Sequence, residues 1–189
     1  MLIEKARRQA PERRQSILEA ARFLALRHGL RAVTMEAIAR EAHVAKPTLY
    51  GYFPDKTAVY EAVMEELVVQ FRAAFDTALA QPGDVVERVA GALADKHKTI
   101  VRVLEGSPHA DELYDEHSRL AAEQFRRLEA HVETEVERAL QGAGVARPRP
   151  LAQLVLAATY GVGRKARNVA EIGPAIRLVT ERLVRPELA

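Results

Sequence analysis

Lys46, Pro47, Thr48, Tyr50, Tyr52 and Lys56 gather two ammonium groups, three hydroxyls and one turn-setting ring into a short segment of a 189-residue chain. None of these groups is a strong nucleophile or a metal ligand of choice, but all except Pro47 donate hydrogen bonds. Phosphate is their natural acceptor. Lys46 and Lys56 bring charge, Tyr50 and Tyr52 bring phenolic hydrogens, and Thr48 offers a hydroxyl to phosphate or a methyl to thymine. Arg14, on the polar side of an earlier segment, and Thr34, just upstream, join them as candidate contacts to a nucleic-acid backbone.

Such groups act together only if short helices hold them on one face. Ile17, Leu18, Ala21, Leu24 and Ala25 recur at one-face helical spacing, with arginines mostly off that face, which predicts an amphipathic first helix. Pro11 suits its first turn, and Gly29 suits a left-handed exit. Thr34 is placed to cap a brief second helix whose inward face is Met35, Ile38 and Ala39, with Glu36 complementing its positive end. Only His43 and Val44 then turn the chain before a third helix begins at Lys46. Val44, Leu49 and Phe53 give that helix one apolar stripe, leaving Lys46, Thr48 and Tyr50 on offer. Two brief helices about a tight turn make a helix-turn-helix, which presents its second helix to the DNA major groove. Asp55 is placed to cap a long fourth helix, and Lys56 in its first turn reads as a phosphate clamp.

At Thr34, Ile38, Ala39, Ala42, Val44, Thr48, Leu49, Tyr50, Tyr52, Phe53 and Lys56 the chain resembles the TetR family of bacterial transcription regulators. Capping, turn, recognition and clamp positions all fall in register over the first quarter to third of the chain. Two positions depart from the pattern. His43 replaces the usual turn glycine, where a positive φ would be uncommon for a side chain. Ala45 replaces the usual capping serine, a loss of roughly 1 kcal/mol, which Pro47 offsets in part by fixing φ in the first turn.

Charge is distributed to match. The net charge is only +2, yet residues 1–60 carry 11 Lys and Arg against 6 Asp and Glu, and the remainder 17 against 20. Positive charge thus collects in the part expected to meet DNA. There is no cysteine, which excludes disulfides and thiolate metal sites and suits a reducing compartment. No run of eighteen apolar residues and no export leader is apparent, so a cytoplasmic protein without membrane contact is expected.

Beyond Lys56 the periodicity is helical throughout, and the expected fold is all-α with about nine helices. A three-helix DNA-binding domain over residues 1–56 precedes a larger helical domain over residues 57–189. Helices are expected from about Thr57 to Ala80, from Asp84 to Leu104, within His109 to Gln141, from Leu151 to Asn168 and from Pro174 to Val184. Gly142 to Pro150 is the largest expected linker.

The last two helices carry apolar stripes wider than one neighbour covers, through Leu154, Ala158, Gly161 and Val162, and through Ile176, Val179 and Leu183. The resemblance implies that they form a four-helix bundle across a two-fold axis, making a homodimer that binds a palindromic double-stranded operator. It also implies a repressor released by a small-molecule effector bound among the middle helices. Phe71, Phe75 and Phe125 are candidate walls for that pocket, with His97, Arg102, Tyr114, His117 and Tyr160 as candidate polar groups. Arg164, Lys165 and Arg167 fit a solvated helix face or a second basic patch. An effector-independent regulator or an activator is the alternative function. An enzyme would have to draw on His109, Asp111, Glu112, Asp115, Glu116 and His117, but no Glu-x-x-His or His-Glu-x-x-His spacing occurs. No catalytic residue, metal or cofactor is expected.

Overall fold

The computed structural model describes residues 2–110, 113, 122–166 and 168–188, with the backbone alone for residues 2–9. The described residues are helical, with no strand among them. They divide into two compact units: Met1–Leu67 with Gly106–Gln124, and Val68–Glu105 with Phe125–Ala189.

In the first unit α1 spans Leu2–His28, α2 Met35–Glu41 and α3 Lys46–Tyr52, and α4 begins at Lys56. Helix α1 starts earlier than predicted, so Pro11 lies inside it rather than in its first turn. The fixed φ of proline is itself helical, so the helix continues and forgoes one amide bond there. Ile17, Leu18, Ala21 and Ala25 are buried as predicted. Gly29 leaves the helix at φ 77°, and its amide donates to the Ala25 carbonyl at 2.9 Å. The unit extends along α4 through Leu67, where Val59, Tyr60, Val63, Met64 and Leu67 are all buried. The Tyr60 hydroxyl donates to the Ala21 carbonyl at 3.3 Å, tying α4 to α1.

In the second unit α4 ends at Leu79, followed by α5 Val85–Leu104, α6 Ala122–Gly142, α7 Pro148–Lys165 and α8 Val169–Val184, with a short 3-10 turn over Arg185–Glu187. Asp84 caps α5 in a reciprocal box with Glu87: the Asp84 carboxylate accepts from the Glu87 amide at 2.9 Å, and the Glu87 carboxylate accepts from the Asp84 amide at 3.3 Å. Phe71, Phe75, Val89, Leu93, Val132, Val136, Leu140, Val155, Ile172 and Ile176 make its core, each at 1% exposure or less.

In this unit three helix boundaries differ from the sequence prediction, two of them around prolines. Pro148 and Pro150 lie in the first turn of α7 instead of in a linker, since amides there have no intrahelical partner to lose. Helix α7 ends at Lys165, short of Asn168. Helix α8 begins at Val169, because the Asn168 side chain accepts from the Ala170 and Glu171 amides at 3.0 and 3.2 Å, so Pro174 falls inside it.

Candidate nucleic-acid interface

The Thr34 hydroxyl accepts from the Ala37 amide at 3.1 Å and starts α2 with Met35, Ile38 and Ala39 facing inward. The turn after α2 closes through two bonds, His43 amide to Arg40 carbonyl at 3.2 Å and Val44 amide to Ala39 carbonyl at 3.0 Å. This is the Schellman pattern, and it requires a left-handed residue between them. His43 takes that conformation at φ 55°, the position where the departure from glycine raised the question. Histidine tolerates it better than a branched residue would. Helix α3 then starts from Ala45 without a side-chain cap, with Pro47 in its first turn.

Leu49 is wholly buried and Phe53 nearly so, which docks α3 by its apolar stripe, while Val44 is half-buried. The opposite face stays open. Lys46, Pro47 and Tyr50 are exposed, Thr34 is exposed, and Thr48 is half-buried. The arrangement therefore offers a hydroxyl, a phenol and an ammonium beside one another on a rigidly seated short helix. Such a face suits the phosphates and base edges of a duplex.

Lys56, Arg14 and Tyr52, all expected contact residues, make contacts that cross from one helix to another element of the unit. Lys56 donates through Nζ to the carbonyls of Leu30 and Val33 at 3.0 and 2.9 Å, so α4 is stapled to the loop that leads into Thr34. Arg14 Nη1 lies 3.3 Å from Glu66, and its guanidinium sits 5.7 Å above the Phe53 ring. Tyr52 donates its hydroxyl to the Ala10 carbonyl at 3.2 Å. Each sets how α1, α3 and α4 meet. Lys56 keeps one ammonium hydrogen beyond its two carbonyls.

Glu36 is a participant that spacing did not identify. Its carboxylate was assigned to its own helix end, yet Oε1 lies 2.5 Å from Lys46 Nζ on α3. That hydrogen bond holds the Glu36 carboxyl below the ordinary carboxylate range and raises the Lys46 ammonium above its own. Helix periodicity places a residue on a face but not against a neighbouring helix, so the pair was not legible beforehand.

In the second unit, Phe71 and Phe75 are buried and Phe125 is half-buried with its ring 6.4 Å from Phe71. Phe75 meets the edge of His131, whose Nε2 is 2.6 Å from the Asp76 carboxylate. His97 is buried against Gly163, and that burial, with the charge of Lys96 beside it, pushes the imidazole down to about 3. It is therefore neutral at ordinary pH. Lys96, equally enclosed, donates to Glu129 at 2.8 Å. Arg102 and Tyr160 are exposed, and Tyr114 and His117 lie outside the described residues. A groove of about 360 Å³ is lined instead by Leu79, Val85, Arg88, Glu135, Ala139 and Ala143, none of them anticipated.

Along α7 and α8, Leu154 and Gly161 are exposed and Ala158, Val162, Val179 and Leu183 half-buried, whereas Ile176 is wholly buried in its own chain. Ile176 thus has no surface left for a second copy. The stripe it shares with Ile172 and Thr180 points into the unit, and Leu178, 58% exposed, lies on the open side instead. Among the described residues no three His, Asp or Glu side chains gather as a metal site, and no helix is long and apolar enough to cross a membrane.

Residues 17–63 match the family model of bacterial regulatory proteins, tetR family. Over 78 residues the chain is 36% identical to the HTH-type transcriptional repressor KstR of Mycolicibacterium smegmatis, a match covering 41% of this chain and 38% of that one. Over 107 residues it is 31% identical to the nucleoid occlusion factor SlmA of Mannheimia succiniciproducens, covering 53% of this chain and 50% of the relative. The chain therefore spans about half or less of the length of these curated relatives. A TetR/AcrR-family transcriptional regulator from Thermobifida fusca shares the fold at a TM-score of 0.69, with 24% identity over 92% of this chain and 97% of the other. With a docked recognition helix, an open polar face and these likenesses together, the chain carries the TetR-family fold of helix-turn-helix, DNA-binding transcriptional regulators.

Proposed function

We propose that the protein is a repressor that grips a palindromic operator as a homodimer and lets go when a small molecule binds its second unit. The observation that carries this is the face of Thr34, Lys46, Thr48 and Tyr50 beside a helix seated by Leu49 and Phe53. One such head reads only a few base pairs, so two copies about 34–36 Å apart, or a multiple, are needed for a specific site. Leu154 and Gly161 on α7 and Leu178 on α8 are exposed and available for pairing. Repression is supported by the likeness to KstR, which is a transcriptional repressor.

Release by a ligand is a matter of linkage. A compound loosens DNA only by the margin with which it prefers the DNA-free shape. Helix α4 begins in the head at Lys56, stapled there to the Leu30 and Val33 carbonyls, and its last turns, in the second unit, carry Phe71 and Phe75. It is the continuous element through which such a preference can act.

A second reading is favoured by the likeness to SlmA, a nucleoid occlusion factor, which extends over more of the chain than the likeness to KstR. In that case DNA binding needs no small effector. Thermal-shift screening of a metabolite library, followed by anisotropy with bound genomic fragments, separates the two. A compound that raises Tm and also releases DNA is the expected result, and stabilisation by none of a broad library supports the effector-independent protein.

A further inference from the structure

The geometry points to Glu36 as a residue that holds down the affinity of the recognition face for arbitrary duplex, by occupying the Lys46 ammonium that phosphate would otherwise take. The inference rests on the duplex-binding function proposed above and concerns the same face.

Lys46 and Glu36 meet at 2.5 Å, and both are more than half exposed. The pair therefore stands in the solvent that a duplex would displace, and not in the core. Thr34 caps the helix that carries Glu36, and Tyr50 lies one turn along α3 from Lys46, both of them exposed. These are the groups expected to touch DNA, so the carboxylate sits among them. Two consequences follow from elementary electrostatics. First, an approaching phosphate within about 8–10 Å senses both charges, so that Lys46 contributes almost no net attraction while Glu36 is beside it. Second, an exposed ion pair gives little net stabilisation, so its ammonium exchanges partners readily. Lys46 can thus swap the Glu36 carboxylate for a phosphate oxygen, but the swap returns Glu36 unpaired to a surface facing polyanion. This cost applies at every sequence, and it suppresses the binding driven by charge alone.

The test uses the full chain, a random-sequence duplex as probe, and a salt series, with far-UV circular dichroism melting to confirm the fold. Glu36→Gln keeps the shape and removes the charge. It is expected to bind the random duplex about three- to tenfold tighter near 0.1 M salt, with log K against log salt steeper by about 0.9 per chain, the signature of one more neutralised phosphate. In a Lys46→Met background the same change should leave the slope unaltered and give a much smaller gain. Glu36→Ala serves as a second variant and should follow Glu36→Gln. Equal or weaker binding by folded Glu36→Gln overturns the inference, as does an identical gain with and without Lys46, which would make Glu36 a simple source of repulsion. If the unaltered chain binds no duplex at any salt, the duplex-binding function fails instead.

Discussion

Tyr50→Ala is expected to weaken operator binding at least tenfold while helical content and Tm stay within error of the unaltered protein. The side chain is 45% exposed on the open face of α3, on the side away from the Leu49 and Phe53 contacts that hold the helix in place. Truncation therefore costs the fold little. A phenol donating to a charged phosphate contributes about 1.5–3 kcal/mol, and tenfold in affinity is 1.4 kcal/mol. With two heads per operator, even the low end of that range exceeds the tenfold mark. Anisotropy titration with a bound fragment, run beside a thermal melt, measures both halves of the expectation. Unchanged affinity would remove Tyr50 from the interface, and a large fall in Tm would make it a structural residue.

Gly163→Val is expected to lower stability by about 2–3 kcal/mol, an overpacking cost. For a chain of this size that corresponds to roughly 5–10 °C in Tm. A Cβ at this position would overlap His97 Nδ1 and fall 3.0 Å from two ring carbons. The imidazole is 4% exposed and enclosed, so it cannot swing aside as a surface side chain would. Glycine is usually a liability inside a helix, by about 1 kcal/mol against Ala; here the close approach of α7 to His97 outweighs it. Adding His97→Ala to Gly163→Val should restore part of the loss, since it empties the space the valine needs. Gly161 provides the contrast. A Cβ there meets nothing within 4 Å, so an effect of similar size at that position could not come from packing within the chain. Urea unfolding of the single and double variants reads these differences directly.

How much of this was legible in the sequence depends on whether a feature is local. The cap at Thr34 and the exit at Gly29 each involve residues within a few positions of one another, so residue type and spacing were enough. The seating of α3 by Leu49 and Phe53 was also legible, because a seven-residue helix with one apolar stripe has only one way to dock. Contacts across elements were not. Lys56 read in the sequence as a phosphate clamp, and its two carbonyl acceptors lie more than twenty positions away. Glu36 and Lys46 are ten positions apart, and the angle between α2 and α3 decides whether they meet.

Prolines misled for a related reason. Pro148, Pro150 and Pro174 were read as helix boundaries, but the first-turn positions of α7 and the strong Asn168 cap of α8 admit them. The candidate pocket and pairing surface depended on telling one apolar stripe from another. Periodicity shows that Ile176 and Leu183 share a helix face with Val179. It does not show that Ile176 fills its own core at 0% exposure while Leu178 faces outward. Arg102 and Tyr160 show the same limit, since a polar residue amid apolar ones can turn either to a cavity or to solvent, and spacing does not show that both are exposed.

The central claim is that the face of α3 meets a duplex as one of a symmetric pair, and hydroxyl-radical footprinting on a fragment selected from genomic DNA tests it most directly. Two protected half-sites related by a palindrome, with centres about one helical turn or a multiple apart, are the predicted result, and Tyr50→Ala should lose protection at both together. Uniform protection without sequence preference, or one isolated half-site that survives Tyr50→Ala, would contradict it.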